Sequence, residues 1–483
     1  MRKKVPVNWI NIPLENVVLK GKGKKPKKLS KEKINGMVPY IDIRAFEKGI
    51  IEQYADIESS KIIDKSDVLV VWDGARFGLT GFGMNGAAGS TLMVLTPVLI
   101  HSKYLYFFIN RYYDYINTHP KGTGTPHVNP DIFWKLEFPL SSLNEQKRIV
   151  AKLDQSMPKI DGVKERLERI PQIIKRFRQS VLNAAVTGKL TEKWREEHLE
   201  VESALNIVES IQKTRMKDAN TKLKSEKIKE IYSSMEENDS SELPDSWKYT
   251  FLNKLCESFQ YGTSSKSQKK GKIPVLRMGN LQNGRIDWSD LVYTSDKNEI
   301  EKYILSPKDV LFNRTNSAEL VGKTSIYLGE YPAIYAGYLI KINNYKKLDS
   351  MYLNYALNSQ YARAYCNRVK SDGVNQSNIN AQKLGKFEIP FPPLEEQHEI
   401  VCHVDKLFTF ADKLEEHYQK AKEKVDKFPQ SVLSKAFRGE LVPQDPNDEP
   451  AEKLLERIKE EKAKMEAELK KTKKNVGGRK KAK

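Results

Sequence analysis

The chain has 483 residues, 39% hydrophobic content and a mean hydropathy of −0.61. That is enough for about three domains, and no run approaches the ~18 apolar residues of a membrane span. A net charge of +19 and a pI near 9.4 point to a polyanionic partner, nucleic acid first, while three scattered cysteines, Cys256, Cys366 and Cys402, exclude a disulfide framework and a zinc site and fit a reducing cytoplasm.

In chain order, the start runs into Trp9 and Asn11 rather than into an apolar signal core. Residues 1–140 read as an α+β globule. Its β-type runs are 67–72 and 90–97, and a helix is expected near 103–116. Eight lysines fall between Lys20 and Lys33. Residues 141–190 read as one long helical region. Its apolar positions, Val150, Leu153, Met157, Ile160, Val163, Leu167, Ile170, Ile174, Phe177 and Val181, alternate steps of three and four, the pattern of a coiled-coil seam. Ser142 is placed to open this helix, Pro171 to break or kink it, and Gly188 to end it. Residues 191–243 read as a charged linker with one helical stretch, 203–217. Residues 244–390 read as a second α+β globule, with β-type runs 272–278, 323–328 and 333–342 and a helix near 350–368. Residues 391–441 form a second helical region. Its seam runs from Val401 through Val404, Phe408, Ala411, Leu414, Tyr418, Ala421, Val425 and Phe428 to Val432, with Pro429 as a break and Gly439 as the end. Residues 442–483 add a helical segment and a lysine-rich tail that composition marks as disordered.

The second half repeats the first. Residues 136–190 align without a gap on 387–441, with 18 identities in 55 positions. The match thins outward: Trp9 echoes Trp247, VPYIDI (38–43) echoes IPVLRM (273–278), and Tyr104-Leu105 echoes Tyr352-Leu353. Both seams break the alternation at the same place with two successive steps of three, at Met157–Ile160–Val163 and Phe408–Ala411–Leu414, and this matching irregularity favours packing of the two helices on each other. Charge collects on the globules: 20 lysines and arginines against 13 acids in 1–140, and 21 against 13 in 244–390.

No catalytic constellation is expected, and no metal site. Gly81, Gly83 and Gly86 match GxGxxG, but a strand-like segment follows where a dinucleotide site needs a helix. Val321-Gly322-Lys323-Thr324 ends like a phosphate loop, yet Ser317 stands where its first glycine belongs. The seven histidines have no ligand spacing.

The phrases FPLSSLNEQKRIV and PFPPLEEQHEIV, each followed about thirty residues later by QSVL and then G-x-L, resemble the conserved regions of the specificity subunit of type I restriction–modification enzymes. The resemblance covers nearly the whole chain. It implies two duplicated target-recognition domains joined by two long helices in an antiparallel coiled coil, each domain reading half of a bipartite, asymmetric double-stranded DNA site. It implies two methyltransferase subunits docked on the helices and carrying S-adenosylmethionine. It also implies restriction subunits, when present, that use ATP and Mg, with no cofactor on this chain.

Phosphate contacts are expected from Lys24, Lys25, Lys27 and Lys28, and from Lys269 and Lys270. Base edges are expected to meet Arg76, Lys121, Thr125 and His127 in the first globule, and Arg314, Asn316, Asn375, Gln376 and Asn378 in the second. The last three could equally stabilise a turn. Glu145-Gln146 and Glu396-Gln397, at the two helix starts, have two readings: docking points for the methyltransferases, or first-turn caps.

Overall fold

The computed structural model describes residues 6–122, 124–233, 243–374 and 376–478, with side chains as far as residue 471. The chain divides into two compact units, Met1–Glu168 with Lys420–Lys483, and Arg169–Gln419.

In the first unit, strand Ile10–Pro13 pairs antiparallel with Glu137–Leu140, the segment that leads into the long helix. Between them lies a four-stranded antiparallel sheet in the order 18–22, 92–97, 68–71, 80–82. Val68, Leu69, Val70 and Val71 are all buried, because both faces of this strand are covered. A five-stranded sheet stands beside it, with Tyr40-Ile41 parallel to Ala87-Ala88. The second unit repeats the plan. Strand Lys248–Phe251 pairs with Glu388–Phe391. The four-stranded sheet runs 256–261, 339–344, 310–313, 324–326, and Val275-Leu276 lies parallel to Ile334-Tyr335. Tyr104 and Tyr352 owe their echo to one job. Each is fully buried, and its hydroxyl donates to the carbonyl of Pro139 or Pro390 in the strand before the long helix.

Three expected elements are divided. The run 333–342 is two strands, Ile334–Tyr335 and Leu339–Asn344, in different sheets, with a turn at Gly337 between them. The helix near 103–116 is Ser102–Arg111 followed by Tyr113–Thr118, and that near 350–368 is Ser350–Leu357 followed by Gln360–Val369.

The long helices are Leu143–Val186 and Leu394–Ala436. They run antiparallel. In the first unit Lys164 reaches Asp426 at 3.9 Å. In the second, Arg178 reaches Asp412 at 2.6 Å and its guanidinium lies 5.2 Å from the Phe408 ring. The expected proline breaks do not occur: helix continues through Pro171 and through Pro429. A mid-helix proline costs roughly 3 kcal/mol. The turns beyond Pro429 recover more than that by burying Leu433, Ala436 and Phe437 in the first unit's core. The seam is also less complete than its periodicity predicts, since Val163, Leu414 and Phe428 remain 42%, 39% and 53% exposed. Helix ends that meet a globule gain a third packing partner, whereas a mid-helix position has one neighbouring helix. Gly188 and Gly439 end their helices in the left-handed region at φ +73° and +71°. A Cβ on either would strike a proline ring, Pro244 or Pro6 respectively.

Two segments expected at the periphery are part of the cores. Helix Ala204–Lys217, within the charged stretch 191–243, buries Ala204, Ile207, Val208 and Ile211 in the second unit, and a further helix follows at Lys222–Ser233. The expected C-terminal helical segment is helix Ala451–Gly478, which runs on into the start of the lysine-rich tail expected to be disordered, and its first turns bury Ala451, Leu454 and Ile458 in the first unit. The apolar face recurring along 451–465 overrides the charge of the stretch. The two helices are bound alike: the Ala451 N–H donates to the Asn8 carbonyl at 3.2 Å, and the Ala204 N–H to the Ser246 carbonyl at 3.0 Å. Residues 479–483 lie outside the described residues.

Candidate nucleic-acid interface

The conserved Glu-Gln pairs are interior. Glu145, Gln146, Glu396 and Gln397 are 2%, 0%, 0% and 0% exposed, so none can form a docking surface. First-turn capping is done by Ser142, whose hydroxyl accepts from the Glu145 N–H at 3.0 Å. The glutamates instead hold the indole N–H of the preceding strand: Trp9 Nε1 to Glu145 Oε2, 2.7 Å, and Trp247 Nε1 to Glu396 Oε2, 2.7 Å. Glu396 Oε1 also accepts from Thr191 at 2.6 Å and Arg195 at 2.5 Å. Glu145 accepts from Gln444 in that role. Burial pushes the Glu145 carboxyl above its ordinary value, partly offset by the Trp9 and Gln444 bonds. The glutamines bridge to the globule, with Gln146 accepting from the His101 N–H at 2.9 Å and Gln397 from the Asp349 N–H at 2.7 Å. Each pair therefore fixes the start of a long helix to its own globule. Sequence spacing could not distinguish this from a cap, because the partners lie more than a hundred residues away or in an unrelated loop.

The lysines expected to hold phosphates are on the surface. Lys24, Lys25, Lys27 and Lys28 are exposed and form no ion pair among the described residues. Their loop is shaped by backbone bonds instead: the Lys27 N–H donates to Ser59 Oγ and the Lys28 N–H to Asp56 Oδ1, both at 2.8 Å. Lys269 and Lys270 are exposed in the loop before strand Ile273–Leu276.

In the first globule the expected base readers gather on two neighbouring loops. The Val128 N–H donates to the Trp72 carbonyl at 2.9 Å and the Gly74 N–H to the Pro126 carbonyl at 3.0 Å. This joins the Arg76 loop to the hairpin in which Lys121 and His127 exchange backbone bonds. Arg76 is exposed and pairs with Glu47 at 3.4 Å; Lys121 pairs with Asp131 at 3.1 Å; Thr125 is exposed. In the second globule, Thr315-Asn316 pairs with Ser377-Asn378 in a small ribbon, which brings Arg314, Asn316, Gln376 and Asn378 together. Asn316 Oδ1 accepts from the Ser317 N–H, and Asn378 Nδ2 donates to Thr315 Oγ1, both at 2.8 Å. Both amides are engaged in shaping the ribbon, for Asn378 as the turn-stabilising alternative expects, while Gln376 is exposed. Asn375 lies outside the described residues.

One feature of this region was not legible in either copy alone. At the end of the central strand, the inner strand 68–71 of the first globule and its counterpart 310–313 in the second, each globule stacks a cation on an aromatic ring, with the roles exchanged. In the first, Lys22 Nζ lies 5.9 Å from the Trp72 ring and pairs with Asp73 at 2.5 Å. In the second, the Arg314 guanidinium lies 4.7 Å from the Tyr261 ring. The positions correspond through their hydrogen bonds: Val128 N–H to Trp72 carbonyl matches Ile379 N–H to Arg314 carbonyl, and Trp72 N–H to Thr91 carbonyl matches Arg314 N–H to Tyr338 carbonyl. Gly23 and Gly262 follow Lys22 and Tyr261 because a Cβ at either would lie about 2 Å from a backbone carbonyl oxygen of the neighbouring segment.

The two glycine motifs set aside above lie in and between strands. Gly81–Gly86 connects strands Thr80–Phe82 and Gly86–Ala88, and Thr324 opens strand Thr324–Ile326. Among the described residues, no group of three or more His, Cys, Asp or Glu side chains could hold a metal ion, and no helix is long and apolar enough to cross a membrane.

Residues 6–172 and 244–423 match the family described as type I restriction modification DNA specificity domain. The chain belongs to this family. Both matches cover a globule and the first part of the helix that follows it. Among curated relatives of this specificity family, the EcoKI specificity subunit of Escherichia coli K12 is 29% identical over 84% of this chain and 83% of its own length. The StySPI specificity subunit of Salmonella potsdam is 31% identical over 73% and 69%. The fold is that of the HsdS subunit from Thermoanaerobacter tengcongensis, at TM-score 0.55 and 19% identity over 91% of this chain and 99% of that one. A chain from a type I restriction–modification assembly matches at TM-score 0.60 and 19% identity, over 91% and 100%.

Proposed function

We infer that this chain is the DNA-recognition subunit of a type I restriction–modification complex and is not itself a catalyst. Each globule reads one half of a bipartite, asymmetric site in double-stranded DNA. Two adenine-methyltransferase subunits bind the long helices and bring S-adenosylmethionine; restriction subunits, where they accompany the complex, bring ATP and Mg; and the assembly works in the cytoplasm. The observation that carries this reading is a shared frame with different contents. The two globules repeat the same buried pins, Trp9–Glu145 and Trp247–Glu396, Tyr104–Pro139 and Tyr352–Pro390. Yet the cation–ring pair beyond strand 68–71 differs from the one beyond strand 310–313, with Lys22 over the buried Trp72 in one and Arg314 over Tyr261 in the other. A frame of this kind suits two modules that serve one complex and recognise different bases. Exposed lysine loops on both globules supply the sequence-independent attraction to phosphate. With the four Glu-Gln residues interior, partner docking belongs to exposed positions of the long helices.

The test is the methylome of the source cell with and without the gene for this chain. A bipartite adenine-methylation motif should vanish on deletion and return when the chain is supplied. A motif that persists without the chain rejects the reading.

A further inference from the structure

The second globule contains a groove of about 530 Å³ between the 263–267 loop, the end of the central strand and the turn at Gly337. Two arginines line it, Arg277 and Arg314, along with Lys266, Thr315 and Tyr338. Both guanidinium groups are held in place from the protein side. Arg314 lies over the Tyr261 ring and donates from Nη1 to the Gly337 carbonyl at 3.4 Å. Arg277 pairs through Nη2 with Asp290 at 3.0 Å, and its backbone N–H donates to Asn280 Oδ1 at 2.8 Å. Yet the Nε of each arginine is shielded from solvent and has no acceptor. A shielded donor without a partner is unfavourable until an acceptor arrives, so the groove is prepared for a ligand rich in acceptors.

The chemistry favours a base edge over a phosphate. Phosphate contacts suit exposed lysines, and Lys269 and Lys270 on the nearby surface are exposed. The groove arginines are half-buried, oriented by stacking and by an ion pair, and share the groove lining with Tyr338 and Ala336. A guanidinium in a fixed plane matches the O6 and N7 acceptors of guanine in the major groove. The first globule has neither arginine. The parallel strand pairs place Asp42 where Arg277 stands, since Gly89 N–H to Ile41 carbonyl matches Ala336 N–H to Leu276 carbonyl. Asp42 caps the helix Ile43–Lys48 there, and Trp72 replaces Arg314 and stacks on Trp134.

We propose that Arg277 and Arg314 are specificity-determining residues that select guanine in the half-site read by the second globule. The proposal rests on the reading of that globule as a DNA-recognition domain. The test uses the full chain assembled with its methyltransferase subunits, with R277Q, R314Q and R314K made separately. R314K keeps a cation over Tyr261 and loses the planar fork, so it should melt like the wild type. It provides the readout if R314Q fails to fold.

The methylation motif of the wild-type complex is first read by sequencing. Rates are then measured on duplexes carrying each base at each position of both half-sites. The wild-type motif should contain guanine in the second half-site. Each variant should lose roughly 5- to 150-fold of its discrimination at one such position and leave the first half-site unchanged. A second half-site without guanine, variants that weaken all duplexes alike, or changes confined to the first half-site would each overturn the proposal. A wild-type complex that methylates no DNA would instead overturn the proposed function on which it stands.

Discussion

The buried Glu396 gives the most direct measurement of what the conserved helix start does. Its carboxylate is 0% exposed and accepts from Trp247 Nε1, Thr191 Oγ1 and Arg195 Nη1 at 2.7, 2.6 and 2.5 Å. Glu396→Ala removes all three acceptances. The Trp247 indole and the Thr191 hydroxyl are left in the interior, at 6% and 1% residue exposure, and Arg195 loses its ion-pair partner and keeps its 3.0 Å bond to Thr191 Oγ1. An orphaned buried donor costs about 1–3 kcal/mol, and loss of one member of a buried ion pair about 3–5 kcal/mol. These overlap because one carboxylate serves every donor, so the ion-pair range is the working figure. In a unit of this size each kcal/mol moves the midpoint by ~2–4 °C. Glu396→Ala should therefore lower melting of the second unit by roughly 6–20 °C. Glu396→Gln keeps an acceptor for the indole and should fall between that variant and the wild type. The assay is thermal unfolding of the full chain combined with hydrogen exchange resolved by segment. Protection should fall around 246–252 and 388–400. Unchanged melting and protection, with failed assembly onto the methyltransferase subunits, would refute the reasoning and restore the docking role.

Three further outcomes are expected. Arg148 holds Asp448 through bonds of 3.2 and 2.6 Å and keeps its carboxyl below the ordinary value. The resulting stability is complete above the ordinary carboxylate range and is lost as pH falls through the depressed value. The urea midpoint of Asp448→Asn should thus lie below that of the wild type near neutrality, with the gap closing as pH falls through the ordinary carboxylate range and then through the depressed value; a gap independent of pH would rule out the ion pair as its source. Tyr104→Phe removes the 2.8 Å bond to the Pro139 carbonyl and should cost about 1–3 kcal/mol by urea unfolding, whereas a loss near zero would remove the tyrosine from the pins. Alanine at Lys24 or Lys25 should weaken all DNA sequences alike and lower the log–log salt slope by about one unit each in fluorescence anisotropy; a sequence-dependent loss would make that lysine a base reader.

The repeat, the two long helices and the basic globules were all legible in the chain, because each is written in local pattern. Steps of three and four residues specify a helix wherever they occur, and eighteen identities over one ungapped block announce a duplication. Local pattern also misled where a distant partner decided the outcome. Pro171 and Pro429 read as breaks, yet the helices continue, since turns beyond Pro429 are anchored in a core the proline's neighbours cannot reveal. Charge marked 191–243 as a partly helical linker and 442–483 as a helical and lysine-rich tail, but the apolar faces of 204–217 and 451–465 find cores far away in sequence. Glu145 and Glu396 carried two functional readings until the indoles of Trp9 and Trp247 were seen to occupy them. Arg277 went unnoticed within a strand run, although the alignment of 273–278 on 38–43 already set it opposite Asp42. Its significance needed the groove it shares with Arg314. Periodicity and repetition are properties of neighbours along the chain, so the sequence alone settled the duplication and its two long helices. Burial of a charge, orphaning of a donor and formation of a groove depend on residues that only folding brings together, so the site belonged to the tertiary structure.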